Sequence, residues 1–476
     1  MKKILVATAL LALVVSCKDK VKTEAPSEEK KELPSIIDSV LESSVIYEAN
    51  IRQYSNEGTF DAFTKDIPQL KELGVKVIWL MPVFPISETK RKATGGDFAS
   101  LIEDESERAK MLGSYYAVSD FTEVNPEFGS KDDIRELIAT AHDNDMYVIL
   151  DWVPNHTGWD HVWLKDHPEY YTKNADGEIT DPLNEDGTPV GWADVADLNY
   201  DNKALWEEMT ADMKYWITEE GIDGFRCDVA GSVPVAFWEY VIPKLRAEKD
   251  IFMLAEAWEP ELLKGDLFEM AYAWEGHHIM NEIAKGEKSA KDWDDYMVKM
   301  DTVYETNDIL MNFITNHDEN SWNGTVRERM GNAAPAMLAM SYTVPGMPLI
   351  YSGQEYDLNH RLKFFEKDSI PKSKGEIWNT LKKLGELKNT HTALNGGKNA
   401  ASYERLKTSN DEKVLAFKRS KEESELIFVA NLNDTKQNFM IKTAGTYKNA
   451  MTGDVVELDS GKVHKFKPWE YLILVK

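Results

Sequence analysis

Cysteine and positive charge are both scarce in this chain. Its 476 residues include 2 cysteines, Cys17 and Cys227. Cys17 falls in an N-terminal targeting segment, which leaves Cys227 without an intrachain partner, so the mature chain is expected to fold without a disulfide. Lys and Arg total 55 against 82 Asp and Glu, a net charge of −27. That imbalance argues against nucleic acid or an anionic membrane surface as a partner, and it would not repel a neutral polymer. No sequence repeat of solenoid or propeller length is present. What remains is ordinary for a soluble globular protein, with 42% hydrophobic and 29% charged residues. The length allows a large core and more than one domain.

The N-terminus reads as a targeting segment. Lys2 and Lys3 precede the apolar run Ile4 to Val15, and Ser16-Cys17 follow. A run of 12 residues is too short to span a bilayer as a mature helix, and the layout is that of a secretory signal over 1–16. Val14-Val15-Ser16-Cys17 resembles a bacterial lipobox, which implies export and a lipid anchor on Cys17; the alternative is an ordinary signal peptide with an incidental cysteine. Residues 17–40 open on a charged stretch nearly free of large apolar groups and read as a disordered tether.

From Val45 onward, strand-like and helix-like patterns alternate, as in an α/β protein with a parallel sheet. Strands are expected at Val45–Asn50, Val75–Met81, Met146–Trp152, Ile222–Asp228, Ile251–Glu256, Glu269–Trp274, Ile309–Thr315 and Met347–Ser352. Eight is the number that a closed (β/α)8 barrel requires. This barrel is assigned to 41–395. A polar insert at 157–203 is too long for a plain barrel loop. After Gly396 the pattern changes to short strands with turns, which predicts an antiparallel β-sandwich over 396–476.

Four segments stand at expected strand ends: DWVPNH at 151–156, GFRCD at 224–228, AEAW at 255–258 and TNHDEN at 315–320. Three of them supply an acid, Asp228, Glu256 and Asp318. Carboxylates converging from the C-terminal ends of different parallel strands suit glycosidic bond cleavage. In this order and spacing the four segments resemble the α-amylase family, glycoside hydrolase family 13, and the resemblance covers about residues 40–476. It implies that the insert is a short B domain. It further implies a retaining hydrolase of α-glucosidic bonds, most often α-1,4, acting on a starch-like glucan or maltooligosaccharide.

By the same resemblance Asp228 is the nucleophile, Glu256 the general acid and base, and Asp318 the third acid, which helps distort the sugar ring. Arg226 would lie on the same strand face as Asp228 and keep it ionised. Its neighbour Cys227 would point the other way. His156 and His317 match positions that hydrogen-bond the sugar in subsite −1. Tyr116 matches a tyrosine that stacks on that sugar, with Tyr115 as the alternative, and Asp151 braces the site. Trp322 either stacks on a sugar in a plus subsite or packs in the core. Most of the 14 Trp, 19 Tyr and 17 Phe are expected to be core.

Departures from the family pattern bear on specificity. Many amylases carry Lys-His three and four residues after the nucleophile, where this chain has Gly231 and Ser232. The β1 loop lacks an EF-hand-like calcium pattern. The family's other calcium site would use Asn155 and Asp197; otherwise Asn155 only hydrogen-bonds the insert. Among enzymes of the family, the alternative is a relative acting on cyclodextrins, short maltooligosaccharides or α-1,6 branches; outside the enzyme class, it is a non-catalytic, glycan-binding member of the family.

Overall fold

The computed structural model describes Ile36 and residues 38–476 apart from Glu185. The signal segment, the Cys17 anchor and most of the expected tether lie outside the described residues. The barrel strands are β1 (Val45–Ala49), β2 (Val75–Leu80), β3 (Tyr147–Trp152), β4 (Gly224–Cys227), β5 (Phe252–Ala255), β6 (Met270–Tyr272), β7 (Ile309–Asn312) and β8 (Met347–Tyr351). They pair in parallel and in chain order, and β8 closes onto β1 through Ile46 opposite Leu349. All eight lie within the expected ranges. Most end earlier than the apolar pattern does, because the chain leaves the sheet at the residues that carry the site.

Alternation along each strand separates two cores. Ile46, Val77, Trp79, Ile149, Leu254 and Met311 fill the barrel interior. Val45, Tyr47, Ile78, Val148, Phe225 and Cys227 face outward into the layer shared with the helices. On β4 this rule sends Phe225 and Cys227 out, leaving Arg226 inside. The interior cluster also includes Ile36 and Leu41, with Leu41 on a helix at Asp38–Ser43. Ile36 and the helix at Asp38–Ser43 therefore already belong to the barrel, inside the range expected for the tether. The charged run before them hid this short apolar cluster.

The insert is anchored by an antiparallel ribbon of His156–Gly158 with Val195–Asp197. The barrel resumes with a helix at Lys203–Thr218, whose N-cap Asn202 accepts a hydrogen bond from the Ala204 N–H. The C-terminal region forms a six-stranded and a two-stranded sheet, joined by a core that includes Val414, Ile427, Phe439, Phe466 and Leu474. Strands at Ser402–Arg405, Gly445–Asn449 and His464–Phe466 were not expected, because charged and small residues interrupt their alternation. Buried Arg419 ties this region to the barrel by donating to the carbonyls of Thr343 and Asn395.

One glycine fixes the start of β4. Gly224 has φ +152°, and a Cβ there would stand 1.9 Å from the Phe252 carbonyl oxygen. Gly224→Ala should therefore push β4 from β5 and cost at least about 2 kcal/mol of stability. Denaturant unfolding should show the loss, with reduced activity because Arg226 and Asp228 ride on the displaced strand. An unchanged midpoint would contradict this close packing.

Candidate active site

Arg226 is fully buried at the top of β4 and meets three carboxylates. Its Nη1 donates to Asp151 Oδ1 and Asp228 Oδ1, each at 2.9 Å. Its Nη2 lies 2.7 Å from Glu256 Oε2. Nε donates to the Tyr272 hydroxyl at 3.1 Å. These partners come from the ends of β3, β4, β5 and β6, so one planar fork fixes side chains from four consecutive strands. Trp79 Nε1 holds the other oxygen of Asp151 at 3.0 Å. Burial lifts Asp151 to about 6 against the pull of Arg226.

Glu256 follows β5, and its Oε2 also accepts the backbone N–H of Val229 at 2.9 Å. Val229 is held at φ +37°, ψ +46°, a left-handed conformation that is strained for a β-branched residue. The strain aims this N–H at the acid. Asp228 is buried, Glu256 is nearly so, and each carboxyl acts on the other. Burial and the neighbouring carboxylates raise Asp228. Burial opposes ionisation of Glu256 too, but Arg226 and the Val229 N–H outweigh it and hold Glu256 below its ordinary range.

A second cluster faces them. The Tyr116 hydroxyl donates to Asp151 Oδ2 at 3.2 Å and meets His317 Nε2 at 2.8 Å. The Tyr116 and His317 rings stack with centroids 5.5 Å apart. His317 Nδ1 lies 2.5 Å from Glu48 Oε1, and Nε2 lies 3.5 Å from Asp318 Oδ2. Burial alone would lower His317, but Asp318 and Glu48 outweigh it and push the imidazole up to about 9. Asp318 is the exposed acid of the set, with 38% of its side chain accessible. Tyr115 faces away: its hydroxyl donates to Asn50, and the Arg52 guanidinium lies 4.1 Å from its ring centre.

The structure thus brings Asp228, Glu256, Asp318, Arg226, Tyr116 and His317 together. His156 stands on the ribbon, with its Nδ1 3.3 Å from Asn155 Nδ2 and its ring 5.7 Å from that of Trp192. Burial lowers His156 to about 3, so it is neutral. Trp322 is 51% exposed and leans on Phe364 and Phe365. Phe364 is itself nearly parallel to Tyr116, which puts Trp322 on the Tyr116 side of the site. Cys227 is buried, and burial raises its thiol well above the ordinary range, so it is inert. Asn155 and Asp197 meet at the ribbon, where the Asn155 carbonyl accepts the Leu198 N–H and Asp197 pairs with His156. Sequence reasoning missed Glu48, Trp79, Tyr272 and Val229. Period-two alternation places Glu48 on the inner face with Ile46, and a charge at that position was the available signal.

Residues 45–395 match the family model for the α-amylase catalytic domain. The chain belongs to the α-amylase family. It is a glycosidase. Alpha-amylase 3 of Dictyoglomus thermophilum is 25% identical over 83% of this chain and 86% of its own length. A 4-alpha-glucanotransferase of Thermotoga neapolitana is 28% identical over 63% of this chain and 68% of its own. Some relatives are longer: the chain spans 55% of the α-amylase MalA of Haloarcula japonica, at 24% identity. Among solved structures, a maltogenic α-amylase of Thermotoga neapolitana superposes with a TM-score of 0.78 at 28% identity, covering 91% of this chain and 98% of that one.

Arg226→Lys keeps one charge but replaces the fork with a point charge that cannot grip three carboxylates at once. Activity should fall at least about 100-fold, and stability by about 3 kcal/mol or more, because buried carboxylates lose their partner. Steady-state kinetics and thermal melts check both, and a fully active, equally stable variant would contradict the central role of the guanidinium.

Proposed function

We propose that the protein is a retaining glycosidase that cleaves α-1,4-glucosidic bonds in starch-like glucans or maltooligosaccharides through a glycosyl-enzyme on Asp228. The observation that carries this is the pair of acids on adjacent strand ends, gripped by one guanidinium, with Asp318 and His317 across from them. In the first step the Asp228 carboxylate attacks the anomeric carbon as the glycosidic C–O bond breaks, and Glu256 gives its proton to the leaving oxygen. In the second step water attacks that carbon, Glu256 takes the water's proton, and the bond to Asp228 breaks. For this, Glu256 carries a proton and Asp228 is ionised when sugar enters. A sugar between the two acids separates them, and Arg226 stays with Asp228 to keep the nucleophile ionised.

The same intermediate gives transglycosylation if a sugar hydroxyl replaces water, a second reading favoured by the glucanotransferase relative. At the positions where many amylases carry Lys-His, the carboxylate of Glu259 packs against Gly231, with Oε2 2.8 Å from the site of a Cβ. A long basic side chain there would displace Glu259, so acceptor contacts differ from those of the common pattern.

Asp228→Asn should lose several orders of magnitude in turnover at unchanged melting temperature, since an amide cannot attack. Glu256→Gln should be equally slow on glucans but still form the intermediate from a substrate whose leaving group needs no proton. Near-normal turnover of the first, or equal slowing of glycosylation on both substrates for the second, would overturn these roles.

The calcium site implied by the family fits one observation. Burial, and next to it the like charge of Asp181, lift Asp197 to about 6 despite a hydrogen bond from Thr172. Among the described residues no group of three acidic, histidine or cysteine side chains is placed to hold a metal. The remaining donors would be the Asn155 amide oxygen and backbone carbonyls, the oxygen set that calcium takes. The ion would tie the insert to the barrel. A carboxyl raised on folding weakens the fold as pH climbs from about 4 to 6, so a bound cation stabilises most above that window. Melting temperature should fall with chelator at pH 7.5 and less so at pH 5. Coincident melts with chelator and with calcium would show that the site does not bind.

A further inference from the structure

Glu48 is a buried acid of the barrel mouth that the proposed reaction leaves without a role. It stands at the end of β1, fully buried. Its Oε1 takes both the Nδ1 and the backbone N–H of His317, and its Oε2 is buried with no hydrogen-bond partner among the described residues. A carboxylate withdrawn from water destabilises the fold unless it is well paired. Here the pairing is with one ring of the active site. A neutral side chain at this position would satisfy the fold at lower cost.

The contacts and charges around that ring favour its doubly protonated form. Burial raises Glu48, while His317 and Arg226 pull it down; as a carboxylate it only accepts, so His317 Nδ1 carries a proton toward it. At the other nitrogen, Nε2 lies 2.8 Å from the Tyr116 hydroxyl, whose proton has Asp151 Oδ2 as an acceptor at 3.2 Å, and 3.5 Å from Asp318 Oδ2. With the Tyr116 proton on Asp151, Nε2 is the donor to Tyr116 and the ring is an imidazolium.

We propose that Glu48 is a positioning residue for the glycosidase reaction: through Nδ1 it holds His317 as the imidazolium, so that Nε2–H, which meets the Tyr116 hydroxyl in the free protein, turns to a sugar hydroxyl that enters the space bounded by Tyr116 and Asp318. This rests on the reading of His317 as a sugar contact. The charged groups acting on the ring are Glu48 from β1, Asp318 beside it and Arg226 from β4, with Asp151 and Glu256 further round the site. Tyr116, Tyr272 and Tyr351 are the phenols around the ring and Glu48, all held neutral far above the working range. Removing Glu48 subtracts a carboxylate from one side and leaves Arg226 on the other, so the ring loses its proton at lower pH.

The test uses Glu48→Gln, which keeps an acceptor oxygen for Nδ1 but not the charge. In protein labelled with 15N-histidine, and with His317 assigned by its replacement, the ring should stay doubly protonated past pH 8 in the wild type. In Glu48→Gln it should titrate at least two pH units lower. Over the same range, kcat/KM on maltooligosaccharides should fall at least tenfold at pH 8 and much less at pH 5.5. Glu48→Asp, with the charge retained on a shorter chain, should restore the wild-type titration midpoint while leaving kcat/KM reduced, and it decides the matter if Glu48→Gln does not fold. Unchanged titration and pH profile in Glu48→Gln, or a lowered midpoint in Glu48→Asp, would overturn the proposal. His317→Ala separates the two claims: full activity in that variant would overturn the sugar-contact reading itself, whatever Glu48 does to the ring.

Discussion

Everything at the barrel mouth depends on one buried guanidinium. Arg226 touches Asp151, Asp228, Glu256 and Tyr272, which sit on β3 to β6. Without it, three carboxylates would share a space with little water, and Coulomb repulsion would drive them to protonate or part. With it, they hold fixed positions, and their protons are distributed by small differences in contact. The strained Val229 backbone adds one such difference, a single N–H on Glu256.

The fold supplies this arrangement through alternation. On β4, outward Phe225 and Cys227 lock the strand to the helical layer, and Arg226 is forced inward between them. On β1 the same rule points Ile46 and Glu48 inward, and on β2 it brings Trp79 to Asp151. Below this polar layer the barrel is filled with apolar side chains and closed by Leu41. The charged site therefore has a dry floor, which strengthens each ionic contact above it.

The barrel was legible in the sequence because its strands are continuous apolar runs bounded by turn signals, and because the three acids follow those runs directly. The acids and Arg226 were legible through short motifs. The choice between Tyr115 and Tyr116 was not, since adjacent residues differ only in which way they face; Asn50 and Arg52 claim the first, and His317 and Asp151 the second. Glu48 was hidden for another reason. Its partner lies 269 residues away, and no local pattern announces a contact across the barrel axis. The barrel contacts of Ile36 and Leu41 were obscured by the charged segment before them, and three C-terminal strands by their irregular polarity.

The central claim is that the two acids held by Arg226 work by double displacement. The most direct measurement is the configuration of the first product. Proton NMR of a maltooligosaccharide digest by the wild-type protein, recorded before mutarotation, distinguishes the anomers at the new reducing end. Double displacement gives the α-anomer as the initial product. A β-anomer formed first would mean that water attacks the sugar directly, and that Asp228 is not the nucleophile.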